Sequence, residues 1–222
     1  NPQGQTYFFE PWAGLNSKDD PRRWIAFERA ASPVWQCITT RVNISLAAEG
    51  RLDRIASMPG GWMMAALVER ATQGAGVPGV SDATVRETLD RLFSDDVHLT
   101  PLGSYYLALV TNATLHGRPP LGAWAPDGVS PAQAKSLQQF TWDALAEYRT
   151  NNQPLDLASC RRVLTDGFIG QFWSYARDTT PEQKQSKLRG YWRSARNIIS
   201  AHWQVRRNNA SNPLHYDAAT DK

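Results

Sequence analysis

Two short β-prone runs set among longer stretches of helical spacing constrain this chain most. Thr6–Glu10 is rich in aromatic and β-favouring residues and is stopped by Pro11, which reads as a buried strand. Leu52–Met58 reads as a second strand, ended by Pro59, Gly60 and Gly61. Between and after them the apolar spacing turns helical. Asp19, Asp20 and Pro21 open a helix through Trp24, Phe27 and Ala31, with Pro21 at its first position. Pro33 is predicted to interrupt it, and residues 34–48 form a further helical stretch. Trp62–Ala71, Ser81–Phe93 and Tyr105–Leu115 are three more predicted helices, with a glycine-rich loop over residues 74–79. Alternation of this kind predicts an α/β layer structure.

Past residue 120 the pattern is helical throughout. Ser130, Pro131 and Gln133 form a capping box with proline at the first helical position, opening a helix to about Tyr148. Thr180, Pro181 and Gln183 repeat the device ahead of a long helix to about Trp203. The apolar stripe of that helix, Leu188, Tyr191, Trp192, Ala195, Ile198 and Ile199, is predicted to be buried, with the Lys/Arg face wet. The turn-rich segment Gly117–Gly122 marks a boundary. The predicted organisation is therefore an α/β domain over 1–120, a basic helical extension over 121–207 and a disordered tail over 208–222.

With 222 residues, 41% of them hydrophobic and 20% charged, the chain has enough apolar surface for a core. No apolar run approaches the roughly 20 residues that span a bilayer. A formal charge of +3 is too small to make the whole chain a nucleic-acid binder. The charge is nevertheless uneven: residues 161–207 carry 10 basic and 3 acidic side chains, a net of +7, interleaved with Phe172, Trp173, Tyr175, Tyr191, Trp192 and Trp203. Such a segment suits a nucleic acid, a polyanionic glycan or an acidic membrane. A solvated face on a helix whose aromatics are core is the favoured reading, so no nucleic-acid partner is expected.

Cys37 and Cys160 form no metal-type pair, and two readings stay open, a long-range disulfide or two buried thiols. Localisation is left open too, with a periplasmic or secreted setting favoured. His116, His202 and His215 show no metal-ligand spacing, and the glycines at 74, 76 and 79 form no phosphate-binding loop, so neither metal nor cofactor is expected. Ser159 and Ser174 lack a glycine elbow and are not expected to be nucleophiles.

The most informative residues are Asp95, Asp96, Val97 and His98. A carboxylate three residues before a histidine, on a loop ahead of a helix, accepts the imidazole Nδ1–H and frees Nε2 to act as a general base. Asp95 has that offset and His98 is the base; Asp96 is the register alternative. Leu92–Ala108, with Asp95, His98 and then Gly103 opening the next helix, resembles the last block of the SGNH (GDSL-type) hydrolase superfamily. Glu10 and Trp12 after the first strand, Ile55–Trp62, and Leu115–Gly122 are similar to other parts of that pattern, in the right order, and together the resemblance covers roughly residues 5–122.

The resemblance implies a three-layer α/β/α fold with a short parallel sheet, and ester hydrolysis or acyl transfer by a serine nucleophile. It implies Asp95 as the residue that orients the base and His98 as the base. The family's Gly-Asp-Ser-like block, which follows its first strand, has no counterpart here. Gly14, Leu15 and Asn16 are superficially similar to the Gly-x-Asn block, but Pro11 and Trp12 fit the later strand better.

The chain is therefore expected to be the C-terminal portion of such a fold, completed by an N-terminal segment or a partner chain and inactive alone. The first functional reading is a serine-type esterase or O-acyltransferase acting on a carbohydrate or small ester. The alternative is a non-catalytic module whose basic helical surface binds an anionic partner.

Overall fold

The computed structural model describes residues 4–179 and 187–207, together with 209, 212, 214, 215, 217 and 219. Among these the chain is mostly helical, with one two-stranded parallel sheet. In order the elements are β1 (Thr6–Phe9), α1 (Arg22–Ala48), β2 (Ile55–Met58), α2 (Gly60–Gln73), α3 (Val85–Leu92), α4 (Pro101–His116) and α5 (Pro131–Asn151). Then come α6 (Leu157–Val163), a single π-helical turn (Leu164–Phe168), α7 (Ile169–Thr179) and a last helix, α8 (Lys187–Arg207).

The predicted break at Pro33 does not occur: α1 runs through it. Pro33 removes one backbone donor, but the turns on either side bury Trp24, Ile25, Ala31 and Cys37, and that burial outweighs the local break. The second strand is shorter than expected, because Leu52 is exposed and pairing begins at Ile55. Asn43 anchors it, donating from Nδ2 to the Ile55 carbonyl at 2.9 Å and accepting the Ile55 N–H on Oδ1 at 2.7 Å.

Two compact units are present, and the division differs from the boundary expected near residue 120. One unit comprises residues 9–29 and 58–153, so α5 belongs with α2, α3 and α4. Its centre is α2, buried continuously from Gly60 to Val68 because the run Trp62–Val68 is apolar on every face. Tyr106 of α4 donates to the Met63 carbonyl at 2.9 Å, and Tyr148 of α5 meets Trp62 edge to face at 5.2 Å. Gln138 of α5, itself buried, joins the Tyr105 hydroxyl, the Ala123 carbonyl and the Gly122 N–H in one network. The Ser130 capping box forms as predicted, and Thr84 with Glu87 makes another at the start of α3.

The other unit comprises residues 4–8, 30–57 and the described residues from 154 onward. Cys37 and Cys160 are joined in a disulfide across 123 residues of sequence, which decides between the two readings. Leu214, Leu155 and Leu164 pack around it. Most of 208–222 lies outside the described residues, but Leu214 is buried there. The Thr180–Gln183 helix start also lies outside them.

The expected burial of the α8 stripe is overturned. Leu188, Tyr191, Trp192 and Ile199 are exposed, and α8 packs on α7 through a narrower face that includes Gly190 and Ser194, with the Ser194 hydroxyl donating to the Trp173 carbonyl at 3.2 Å. Small residues let two helices approach closely, so this face takes the interface in place of the bulkier stripe.

Among the described residues Leu155, Leu164 and Leu214 are the apolar side chains around the disulfide, so the unit leans on the cross-link. Cys160→Ser should lower stability by about 2–5 kcal/mol, read as a fall in the unfolding midpoint. Unchanged midpoints for wild type with and without reductant would contradict this.

Candidate active site

The site is built on the loop between α3 and α4. Phe93 and Leu99 form an antiparallel bridge, and Ser94 N–H donates to the His98 carbonyl at 2.8 Å, so residues 94–98 close into a tight turn. Asp95 fills the turn: its Oδ1 accepts the N–H groups of Val97 and His98, both at 2.7 Å. Its Oδ2 lies 2.6 Å from His98 Nδ1. The predicted contact is therefore present, and Asp95 rather than Asp96 makes it. The His98 N–H, the imidazole and the Val97 N–H hold the Asp95 carboxyl far below the usual carboxylate range. Asp95 is thus an anion at every working pH, and it favours the tautomer with the proton on Nδ1. The His98 side chain is 79% exposed, and among the described residues nothing occupies its Nε2.

The loop is anchored from both sides. Thr100 caps α4, accepting the Gly103 N–H, and its own N–H donates to the Leu92 carbonyl at 3.0 Å. A Cβ on Gly103 would collide with that same carbonyl, which accounts for glycine at this position. Lys18 reaches the Phe93 carbonyl at 2.9 Å and Asp90 at 2.7 Å, and Trp24 and Phe93 pack edge to face.

Residues 10–16 form a strap across the turn. Trp12 Nε1 donates to the Val97 carbonyl at 2.9 Å, Leu15 N–H donates to the Asp96 carbonyl at 2.7 Å, and Gly14 lies against Val97. Upstream, Glu10 N–H donates to Met58 and the Glu10 carbonyl accepts from Gly61, both at 2.9 Å. A side chain on Gly60 or Gly61 would strike the backbone of Glu10 or Pro11, so the glycine pair is what admits the strap. Glu28, only 1% exposed, accepts the Ala13 N–H at 2.7 Å, and the Trp24 indole donates to the Ala13 carbonyl at 2.7 Å. Burial, opposed by that N–H and reinforced by nearby Glu10, pushes the Glu28 carboxyl up to about 8. Glu10 is itself buried and accepts from the Tyr148 hydroxyl at 3.0 Å.

The strap brings Gly14, Leu15 and Asn16 beside the Asp95–His98 turn, a juxtaposition that the sequence spacing does not reveal. Glu28 gives no sequence signal either, since it stands beside Arg29 in a helix that also carries Arg22 and Arg23 and reads there as a surface residue.

Several serine side chains hydrogen-bond away from His98 Nε2. Ser94 Oγ donates to the His98 carbonyl, Ser81 bridges Val77 and Ala71, and Ser17 caps the turn at Asp19 and Asp20. Ser57 lies 3.5 Å from the Thr39 hydroxyl, and Ser159 and Ser174 bond within their own helical segments. His116 ends α4 exposed. Among the described residues no three His, Cys, Asp or Glu side chains are grouped to hold a metal ion. Comparison of the chain with protein-family models, with curated proteins and with solved structures found no match.

Three outcomes are expected. Nitrogen-15 spectra of neutral His98 should show the proton on Nδ1, and Asp95→Asn should shift the ring toward the other tautomer; an unchanged ratio would contradict the contact. Gly103→Ala should cost about 1–3 kcal/mol in thermal unfolding through the Leu92 clash. The Glu28 carboxyl keeps its proton in the folded state up to about 8, against 4.5 as the ordinary value. Folding therefore takes up a proton across that window, and stability falls as pH rises through it. Glu28→Gln, which retains an acceptor for Ala13, should flatten that fall; an unaltered slope of melting temperature against pH would exclude Glu28 as its source.

Proposed function

We propose that this chain supplies the Asp/His half of a serine-type ester hydrolase or O-acyltransferase site of the SGNH kind, acting on a carbohydrate or small ester. The observation that supports it is the 2.6 Å contact of Asp95 with His98 Nδ1 on a hydrogen-bonded turn, with the His98 side chain 79% exposed. In this reading Nε2 takes the proton of a serine hydroxyl as its oxygen attacks the ester carbonyl. The resulting imidazolium gives that proton to the departing alkoxide, and Asp95 stays ionised, steadying the charge on the ring. Water or an acceptor alcohol, deprotonated by the same nitrogen, then releases the acyl group from the serine. The serine comes from an N-terminal segment or partner chain outside this sequence, and β1 and β2 are two strands of a larger parallel sheet in a three-layer α/β/α domain. Supporting this reading is the order of the matching segments, from Glu10 and Trp12 through Ile55–Trp62 to Asp95, His98 and Gly103.

The test is hydrolysis of a small activated acetyl ester. The chain alone should be no faster than its His98→Ala variant. In the polypeptide carrying the serine segment, His98→Ala should lower turnover by about 10²–10⁴. Turnover there that ignores His98→Ala would overturn the proposal, as would a strong His98-dependent rate from the chain alone.

A further inference from the structure

We infer that α8 is a docking helix for an anionic lipid surface, on which it lies flat. Around its axis the helix has three sectors. One, including Gly190 and Ser194, is buried against α7. The next presents Leu188, Tyr191, Trp192, Ile199 and Trp203 to solvent, with Leu188 83%, Trp192 75% and Ile199 70% exposed. The third carries Arg189, Arg193, Arg196 and Arg207, all exposed, while Arg206, exposed too, closes the C-terminal end of the apolar sector. From Lys187 to Arg207 there are six basic residues and no acidic one.

Large exposed side chains at helical spacing cost free energy in water unless something covers them. Here they include aliphatic Leu188 and Ile199, which have nothing to offer a phosphate backbone, so a nucleic acid leaves them unexplained. An anionic bilayer satisfies both sectors at once. Leucine, isoleucine and the tryptophan rings enter the boundary between headgroups and acyl chains, while the adjacent arginines meet lipid phosphates. Arg207 stacked 3.3 Å over the Trp203 ring sets a cation beside an aromatic ring along this edge, while Arg177, 4.1 Å over Tyr191, is paired with Asp178 at 2.6 Å. No helix among the described residues is long and apolar enough to cross a membrane, so the geometry points to a helix that lies on the surface. This inference is independent of the esterase reading, since it uses none of the residues of that site.

The experiment is flotation of the unmodified chain with phosphatidylcholine vesicles, with and without phosphatidylglycerol, together with quenching of tryptophan fluorescence by brominated acyl chains. Binding should require phosphatidylglycerol, and quenching should place indole about 5–10 Å into the interface. Because each arginine near an anionic surface is worth about a fivefold factor, replacing Arg189, Arg193 and Arg196 by Gln should weaken binding about a hundredfold. Trp192→Ser with Ile199→Ser should abolish both binding and quenching, with melting temperature unchanged because both side chains already face water. Failure of the unmodified chain to float with anionic vesicles would overturn the proposal. So would binding without quenching, vesicle binding that survives the serine substitutions, dimerisation through this face in place of vesicle binding, or binding to duplex nucleic acid but not to vesicles.

Discussion

The carboxyl of Glu28, withdrawn from water and given one backbone N–H, fixes where the chain goes after β1. Burying an ionised carboxylate is costly, and the group answers by keeping its proton rather than by finding a cation. Its Oε1 holds Ala13, the Trp24 indole holds the same residue from its carbonyl side, and Gly60 and Gly61 leave the space through which residues 9–11 pass. With Ala13 placed, Trp12 and Leu15 reach the carbonyls of Val97 and Asp96. The turn that presents His98 is thus held by backbone contacts on both flanks. Asp95 has only to fill that turn to orient the ring, and an exposed hydrogen bond that would be worth little by itself becomes a fixed geometry.

Much of this was legible in the sequence, for reasons that are local. The Asp95–His98 contact needs only a three-residue offset on a turn, so a short-range rule suffices. The capping box at Ser130 belongs with it. Helix α4, predicted over Tyr105–Leu115, begins four residues earlier at Pro101, capped by Thr100. What was not legible depends on contacts between distant residues. Pro33 looks like a helix end until the burial of Trp24 and Cys37 is known. Glu28 looks like one more charge among Arg22, Arg23 and Arg29. The α8 stripe has the spacing of a core face, yet periodicity does not say which sector faces a neighbour, and the narrower face with Gly190 and Ser194 took the contact with α7. Composition carried the +7 segment and periodicity its division into an apolar stripe and a Lys/Arg face, but neither said that the stripe faces water.

The two units solve the problem of stability differently. The unit built on α2 has a dense apolar centre, with Met63, Met64, Leu67, Leu89, Leu92 and Tyr106 fully buried. The other has a small apolar cluster, and the disulfide between Cys37 and Cys160 stands at its middle. Disulfides of this kind persist in oxidising compartments. An α8 that seats on anionic lipid would add a surface-bound setting to the same account.

The central claim is that His98 Nε2 awaits a serine hydroxyl. A phosphonate that reacts with activated serines, applied to the native polypeptide as its gene encodes it, followed by a crystal structure of the adduct, tests this most directly. The account predicts a single labelled serine whose Oγ lies about 2.6–3.2 Å from His98 Nε2, with Asp95 still on Nδ1. A label on a serine remote from His98, or no label at all, would contradict it.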